Sequence, residues 1–176
     1  VDHVMAVLSD LAAAALDAAL AIARAELDEA ADIRLAVIAL GKTGARELNY
    51  VSDVDVVFVL DSAESEEDRH LATDLAQRMR GILSDAGGEP ALWEVDTALR
   101  PEGKAGALVR TLSEFEHYYA DIAENWEFQA LLKARPVAGD VAVGEAFSQS
   151  LLPLVWQAAS RPGFIDGIRA MRRRVV

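Results

Sequence analysis

The sequence predicts an α+β fold: a small mixed β-sheet flanked by helices, followed by a helical section. Three observations carry this reading. Arg34–Leu40 and Val54–Leu60 are apolar runs of strand length, joined through a glycine-containing turn. A third such run, Ala91–Thr97, follows a stretch of helical periodicity. From about Thr111 onward the pattern is helical only. The expected order is α-β-β-α-β and then helices, dividing the chain into an α/β core over 1–110 and a helical section over 111–176.

Each element has its own signal. Val4, Leu8, Leu11, Ala15, Ala19 and Ile22 recur at three- and four-residue steps, which predicts an amphipathic helix over about Asp2–Glu29. The near-continuous apolar character of Arg34–Leu40 predicts a strand buried on both faces. Gly41–Asn49 reads as a turn with room for one helical turn at Ala45–Asn49. Val54–Leu60 is the second strand, ended by Asp61. Ser62–Asp68 is an acidic loop entering a helix N-terminus, where carboxylates suit the dipole. That helix carries Leu71, Leu75, Met79 and Ile82 on one face and ends near Gly87-Gly88. In the third strand Leu92, Glu94 and Asp96 share one face, Trp93 and Val95 the other. Leu99–Gly106 is a polar loop. Ser113 and Glu116 have capping-box spacing and start a helix with Phe115, Tyr119, Ile122 and Trp126 on one face, stopped by Pro136. Val141–Ser160 is helical, with Pro153 a site of kinking or division, and Gly163–Arg174 begins another helix.

With 176 residues and 52% hydrophobic content, the chain is long and apolar enough to bury a core as one domain, or as one domain with a helical appendage. The net charge of −12 argues against a nucleic-acid or anionic-membrane surface, which needs clustered cations. There is no cysteine, hence no disulfide or thiolate chemistry. The apolar stretch Leu11–Ala23 is interrupted by Asp17 and no signal peptide is visible, so a cytoplasmic protein without a membrane span is expected. The chain starts at Val1 and stops just after Arg172–Arg174, so both ends are expected to be cuts in a longer protein.

The chemistry centres on the turn between the first two strands. Asp53 and Asp55 stand at i,i+2 and point to the same side of a strand that otherwise wants burial. Two carboxylates so close repel one another and resist desolvation, and a hard divalent cation is the usual remedy. Mg²⁺ takes carboxylate oxygens together with substrate phosphate. Gly41, Gly44 and Ser52 suit a phosphate cradle made of turn backbone. Lys42 belongs to no Walker motif, since Gly-x-x-x-x-Gly-Lys-[Ser/Thr] is absent. Asp96 is the natural third carboxylate of a two-metal phosphoryl or nucleotidyl transfer site if its strand lies beside the second, and otherwise a surface strand-end Asp. Arg100 and Lys104 suit phosphate oxygens, or are exposed loop cations. Glu94 is a further acid near the metals or a solvated strand residue, the second being favoured. Phe115, Tyr119 and Trp126 read as helix core rather than a base-stacking platform. His3, His70 and His117 form no zinc pattern, and no Ser-His-Asp signature is present.

Taken together, Gly41-Lys42-Thr43-Gly44-Ala45-Arg46-Glu47-Leu48-Asn49 with Ser52-Asp53-Val54-Asp55 resembles the nucleotidyltransferase signature of the bifunctional glutamine synthetase adenylyltransferase/adenylyl-removing enzyme family. The resemblance continues through Val95-Asp96, Leu99-Arg100-Pro101-Glu102-Gly103, Gly106-Ala107-Leu108-Val109, Trp126–Leu131, Lys133–Asp140 and Ile168–Arg174. It implies a polymerase-β-like nucleotidyltransferase fold, with 1–110 as the nucleotidyltransferase core and 111–176 as the beginning of a helical bundle. It also implies two Mg²⁺ ions held by Asp53, Asp55 and Asp96, and a nucleotide-phosphate loop at Gly41, Lys42 and Ser52, with ATP or ADP as substrate or product. The implied partners are glutamine synthetase, a PII-type signal protein and a second nucleotidyltransferase domain of the same polypeptide, with glutamine as an effector.

Arg-Glu-Leu-Asn before the Ser-Asp, and Lys-Ala-Arg-Pro-Val, look more like the N-terminal half, which removes AMP from glutamine synthetase by phosphorolysis and gives ADP. The alternatives are the adenylylating half, which transfers AMP from ATP to a tyrosine, and a nucleotide-sensing module without turnover. Thr43, Glu94 and Thr97 depart from residues common in the family. Glu94 replaces a cation with an anion near the metals.

Overall fold

The computed structural model describes residues 2–84, 93–167 and 169. Its core is a five-stranded mixed sheet made of β1 (Leu35–Ala39), β2 (Val54–Leu60), β3 (Val95–Asp96), β4 (Val109–Thr111) and β5 (Arg135–Gly139). The sheet order is β3-β2-β1-β5, with β4 also pairing β2. β1 runs antiparallel to both β2 and β5. β3 and β4 share one edge of β2, both parallel to it: β3 pairs its start at Val54 and Asp55, and β4 its end at Phe58, Val59 and Leu60.

The expected mixed sheet with flanking helices is present, and its two faces follow from strand alternation. On one face Leu35, Val37, Val54, Val56, Phe58 and Leu60 pack against α1 (Asp2–Glu26) and α3 (Glu66–Ser84). On the other, Ala36, Ile38, Val57 and Val59 pack against α4 (Leu112–His117), α5 (Asn125–Leu131) and α6 (Val141–Ala158). Every residue of β1 is buried because helices cover both sides, as its unbroken apolar run predicts. Leu75 and Met79 of α3 are buried as expected, and a reciprocal cap starts the helix: Ser65 Oγ accepts the Asp68 N–H (3.2 Å) while Asp68 Oδ2 accepts the N–H groups of Glu64 (2.8 Å) and Ser65 (3.0 Å).

The structure corrects several local expectations. α1 buries Ser9, Ala12, Leu16, Ala19, Leu20 and Ala23, whereas Val4, Leu11 and Ile22 of the predicted stripe are exposed. The helix is apolar nearly all round, so periodicity alone does not choose the face; close approach to the sheet selects the small residues. By length and composition α1 would also pass for a membrane span, but here that face is core. The single helical turn before β2 is α2 (Gly41–Gly44), not Ala45–Asn49.

β4 and β5 were not anticipated, so the section after Thr111 is not helices only. Pro136 does not stop a helix; it sits in edge strand β5, where a missing N–H is tolerated, beside a bulge that leaves Val137 without a partner in β1. The capping box uses Thr111 and Glu114 rather than Ser113 and Glu116: the Glu114 N–H donates to Thr111 Oγ1 (3.2 Å) and the Thr111 N–H to Glu114 Oε2 (2.7 Å). The long helix expected from there is instead α4, a π-helical turn at Tyr118–Ile122, and α5. Phe115 and Tyr119 are core residues, but Trp126 is 44% exposed and Ile122 58%. α6 runs through Pro153 undivided. Ala91 and Leu92, the Gly87-Gly88 helix end and half of the helix expected at Gly163–Arg174 lie outside the described residues.

Phe58 has no exposed surface and lies at the centre of the α1/α3 face. Phe58→Ala is expected to cost about 3–5 kcal/mol, the usual loss for emptying a buried aromatic site. Urea denaturation checks this as a lowered midpoint with an unchanged slope.

Candidate active site

The carboxylates stand on the sheet face that carries Val57 and Val59, at the end of β2 where the helices no longer cover it. Strand alternation puts Asp53 and Asp55 there, while Val54 and Val56 turn into the α1/α3 core. Asp55 is the register partner of Asp96 across the parallel β2/β3 pair, just as Val54 partners Val95. The condition set by the sequence reading of Asp96, that its strand lie beside the second, is therefore met. Asp96 Oδ1 also accepts the N–H of Ala98 at 2.8 Å, which fixes the carboxylate at the strand end.

A pocket of about 640 Å³ opens beside these residues, lined by Gly41, Lys42, Ser52, Asp53, Asp55 and Glu94, with Tyr50, Val51 and Trp93 at its rim. Gly41 has φ +52°, and a Cβ built there would lie 2.5 Å from Asp55 Oδ2. This left-handed backbone favours glycine, and the close approach to Asp55 requires it. Lys42 Nζ donates to Ser52 Oγ (3.2 Å), whose hydroxyl donates to Asn49 Oδ1 (2.5 Å), so one exposed chain of polar groups spans the loop. Gly44, at the other end of α2, is buried and does not line the pocket.

Arg100 and Lys104 do not line it either. The Arg100 guanidinium ties the loop after β3 to itself: Nε donates to Gly106 O (3.0 Å), Nη1 to Thr97 O (2.8 Å) and Oγ1 (3.0 Å), and Nη2 to Lys104 O (3.0 Å). Burial, followed by the nearby Arg80 charge, holds its pKa below the usual arginine value, with Asp96 pulling the other way.

Asp55 is the strained charge of the site. Burial lifts its carboxyl above the ordinary carboxylate range, the charges of Asp96 and Asp53 add to the lift, and Lys42 opposes it. Among the described residues no three His, Cys, Asp or Glu side chains converge as a ready-made metal cage. The donor set instead suits a hard cation that takes some of its oxygens from a phosphate, as Mg²⁺ does. The like charges of Asp53 and Asp55, offset only in part by Lys42, line an open pocket with no Cβ on Gly41 to obstruct it, and this fits such an ion.

Sequence reasoning did not find Tyr50, Val51 and Trp93 as rim residues, nor the two supports of the glycine turn. On one side Ser9 of α1, fully buried, accepts the Leu48 N–H (3.1 Å) while donating to Met5 O (2.9 Å). On the other Arg135 of β5 donates to the carbonyls of Thr43 and Gly44 (3.1 Å each). A serine inside an apolar helix face was the available signal for the first; the second needs the unpredicted strand.

A two-faced mixed sheet with paired carboxylates beside a glycine turn defines a polymerase-β-like nucleotidyltransferase domain. Residues 1–150 match the glutamate-ammonia ligase adenylyltransferase family, and the chain belongs to it. Similar relatives include bifunctional glutamine synthetase adenylyltransferase/adenylyl-removing enzymes of Streptomyces avermitilis (56% identity over 96% of this chain), Mycolicibacterium smegmatis (55% over 98%) and Cutibacterium acnes (49% over 100%). The chain spans 17%, 17% and 18% of the length of these three relatives.

The raised carboxyl of Asp55 gives a pH prediction. A folded-state value above the ordinary 3.8 means that the folded chain binds this proton more tightly than the unfolded one. The resulting destabilisation is absent below the unfolded value, appears as the pH rises through the folded one and is complete above it. Asp55→Asn is therefore expected to raise the urea midpoint of the metal-free protein at about pH 7 and to give no gain at about pH 3. A gain of equal size at both pH values would remove the like-charge explanation.

Proposed function

We propose that this chain is a Mg²⁺-dependent nucleotidyltransferase domain that controls glutamine synthetase by removing AMP from its adenylylated tyrosine through phosphorolysis, giving ADP. The observation that carries the reading is the pairing of Asp55 with Asp96 on adjacent strands, with Asp53 alongside and Gly41 against Asp55. In this reading Asp53, Asp55 and Asp96 hold the metal, which supplies charge neutralisation at the transferred phosphoryl group and at the attacking and leaving oxygens. The chain's own groups do the rest. The turn at Gly41 and Lys42 and the Ser52 hydroxyl orient the nucleotide phosphates, and Lys42 gives up its hydrogen bond to Ser52 for a phosphate oxygen. An oxygen of hydrogen phosphate attacks the adenylyl phosphorus, the phosphorus–tyrosine oxygen bond breaks, and the proton of the attacking hydrogen phosphate passes to the departing tyrosine oxygen, which leaves ADP and the free hydroxyl.

The direction rests on Arg46-Glu47-Leu48-Asn49 and on Lys133–Val137, which resemble the adenylyl-removing half. The adenylylating direction is the alternative and differs in its products. A binding-only module is a third reading, and a specific observation favours weighing it: Glu94, exposed, lines the pocket and puts an anion beside the phosphate position. The division into a nucleotidyltransferase core over 1–110 and a helical section over 111–176 belongs to the same proposal, with β5 returning from the second part to the sheet. So do regulation by a PII-type protein and glutamine, a second nucleotidyltransferase domain in the polypeptide, and a cytoplasmic location.

³¹P NMR tests the reaction. Adenylylated glutamine synthetase, phosphate and Mg²⁺ are expected to yield ADP with the intact protein. Asp53→Asn and Asp96→Asn should each reduce the rate by about 10²–10³-fold, the scale for losing one stabiliser of transition-state charge. Pyrophosphate from ATP and unmodified synthetase, without ADP formation from the adenylylated form, would reverse the direction. Mg²⁺-dependent nucleotide binding with neither product would favour the binding module.

A further inference from the structure

α2 is a single helical turn, and its two ends have different surroundings. Its first residues, Gly41 and Lys42, line the pocket, with Gly41 against Asp55. Its last two, Thr43 and Gly44, present their carbonyls to Arg135, which donates to Gly44 O from Nε and to Thr43 O from Nη2, both at 3.1 Å. The final carbonyls of a helix have few intrahelical donors, and a cation at this end also complements the dipole. Arg135 reaches them because it is the register partner of Ala39, the last residue of β1, immediately before the turn.

Contact around this latch is tight. A Cβ on Gly44 would lie 2.0 Å from Lys133 O and 2.6 Å from Ala39 O, so the turn rests directly on the backbone leading into β5. Arg135 is half-buried, and desolvation holds its pKa below the usual arginine value, with the Asp10 charge raising it and the Arg46 charge lowering it. Its cation is thus partly removed from water to serve two neutral carbonyls. The neighbouring Lys133–Glu47 pair is about half exposed on both sides and belongs to the class of surface ion pairs that contribute little. The planar guanidinium offers the two carbonyls two donors in a preset geometry, whereas an ammonium is a point charge on a flexible stem without that fork.

We propose that Arg135 is a positioning residue of the nucleotide site: by clamping the last carbonyls of α2 it sets the angle at which Gly41 and Lys42 meet Asp55 and the bound phosphates. The proposal rests on the nucleotidyltransferase reading for its ligand, and on the hydrogen bonds alone for the latch. A four-residue turn has no length over which to absorb a tilt, so release at Gly44 is felt at Gly41. Misplacement of a positioning element by about 1 Å can cost about 10²-fold in rate.

The test compares wild type, Arg135→Ala and Arg135→Lys in the intact protein, by amide hydrogen exchange and by calorimetric titration with Mg²⁺·ADP, the product of the proposed phosphorolysis. In Arg135→Ala, exchange is expected to rise over residues 41–47 while β1 and β2 stay protected, and Mg²⁺·ADP affinity to fall about tenfold or more, as for loss of a supporting contact behind a ligand-binding residue. Guanidinium ion, at concentrations far below those that unfold the wild type, should reverse both changes. Arg135→Lys, which keeps the cation but not the fork, should show the same local exchange. It carries the comparison if the alanine variant does not fold. Unchanged exchange over 41–47, or an equal rise throughout β1 and β2, overturns the latch. If wild type itself binds no Mg²⁺·ADP, the nucleotidyltransferase reading fails, and the exchange comparison still decides whether Arg135 holds the turn.

Discussion

Asp55 pressed against Gly41 and paired across the sheet with Asp96 is the contact on which the rest of this structure depends. Left to itself it is unfavourable: partial burial and two neighbouring carboxylates all raise the energy of the charged form. A chain tolerates such a contact only if the surrounding structure fixes it, and here both faces of the sheet do so. Val54 and Val56 on one side of β2 and Val57 on the other are essentially fully buried. The backbone of Asp55 thus cannot shift away from Gly41 without moving the strand that runs through both cores.

The same logic explains why so much polar structure surrounds the glycine turn. Arg46 takes a left-handed conformation (φ +61°), uncommon for a side chain of this size, and is ion-paired to Asp10 of α1. Ser9 holds the Leu48 N–H from inside the core, and Arg135 holds the opposite end of α2. Isolated, each is a modest interaction. Placed on both sides of one turn, they remove the freedom that a short glycine-containing loop would otherwise have.

How much of this was legible in the sequence varied with how local the signal was. β1 and β2 were read correctly because an apolar run of strand length needs no partner to be recognised, and the Asp53/Asp55 spacing places both carboxylates on one face whatever surrounds them. The α1 face was misread in part because Val4, Leu11 and Ile22 are as apolar as the residues that are buried; Ala19 of the expected stripe is core, but Ala12 and Ala23 beside it were not singled out. β4 and β5 were missed for a related reason. β4 is three residues long, and β5 contains a proline, a glycine and a bulge, so neither has the alternation of a strand. They exist because β2 and β1 have free edges to pair. Arg100 and Arg135 could not be told apart by type: both are arginines beside family-like motifs, and only geometry shows one closing its own loop and the other holding the turn.

The helical section is therefore more than a cover for the sheet. The Tyr118 hydroxyl, in the π-helical turn, donates to buried Glu127 of α5 (2.7 Å) and accepts the N–H of Glu102 (3.3 Å). Glu102 has φ +62° in the loop that follows Asp96, and its carboxylate pairs with Arg110, whose guanidinium lies over the Tyr118 ring (5.8 Å). Burial followed by the Glu127 hydrogen bond raises the Tyr118 pKa, so this hydroxyl keeps its proton and remains a donor. The loop leaving Asp96 is thus anchored to α5, and a few residues beyond α5 the chain enters β5 and Arg135. Both sides of the carboxylate pair, the turn at Gly41 and the loop after Asp96, are fastened to the same short stretch between Tyr118 and Arg135. The two anchors come from one stretch because α5 lies between the Tyr118 turn and β5 in the chain.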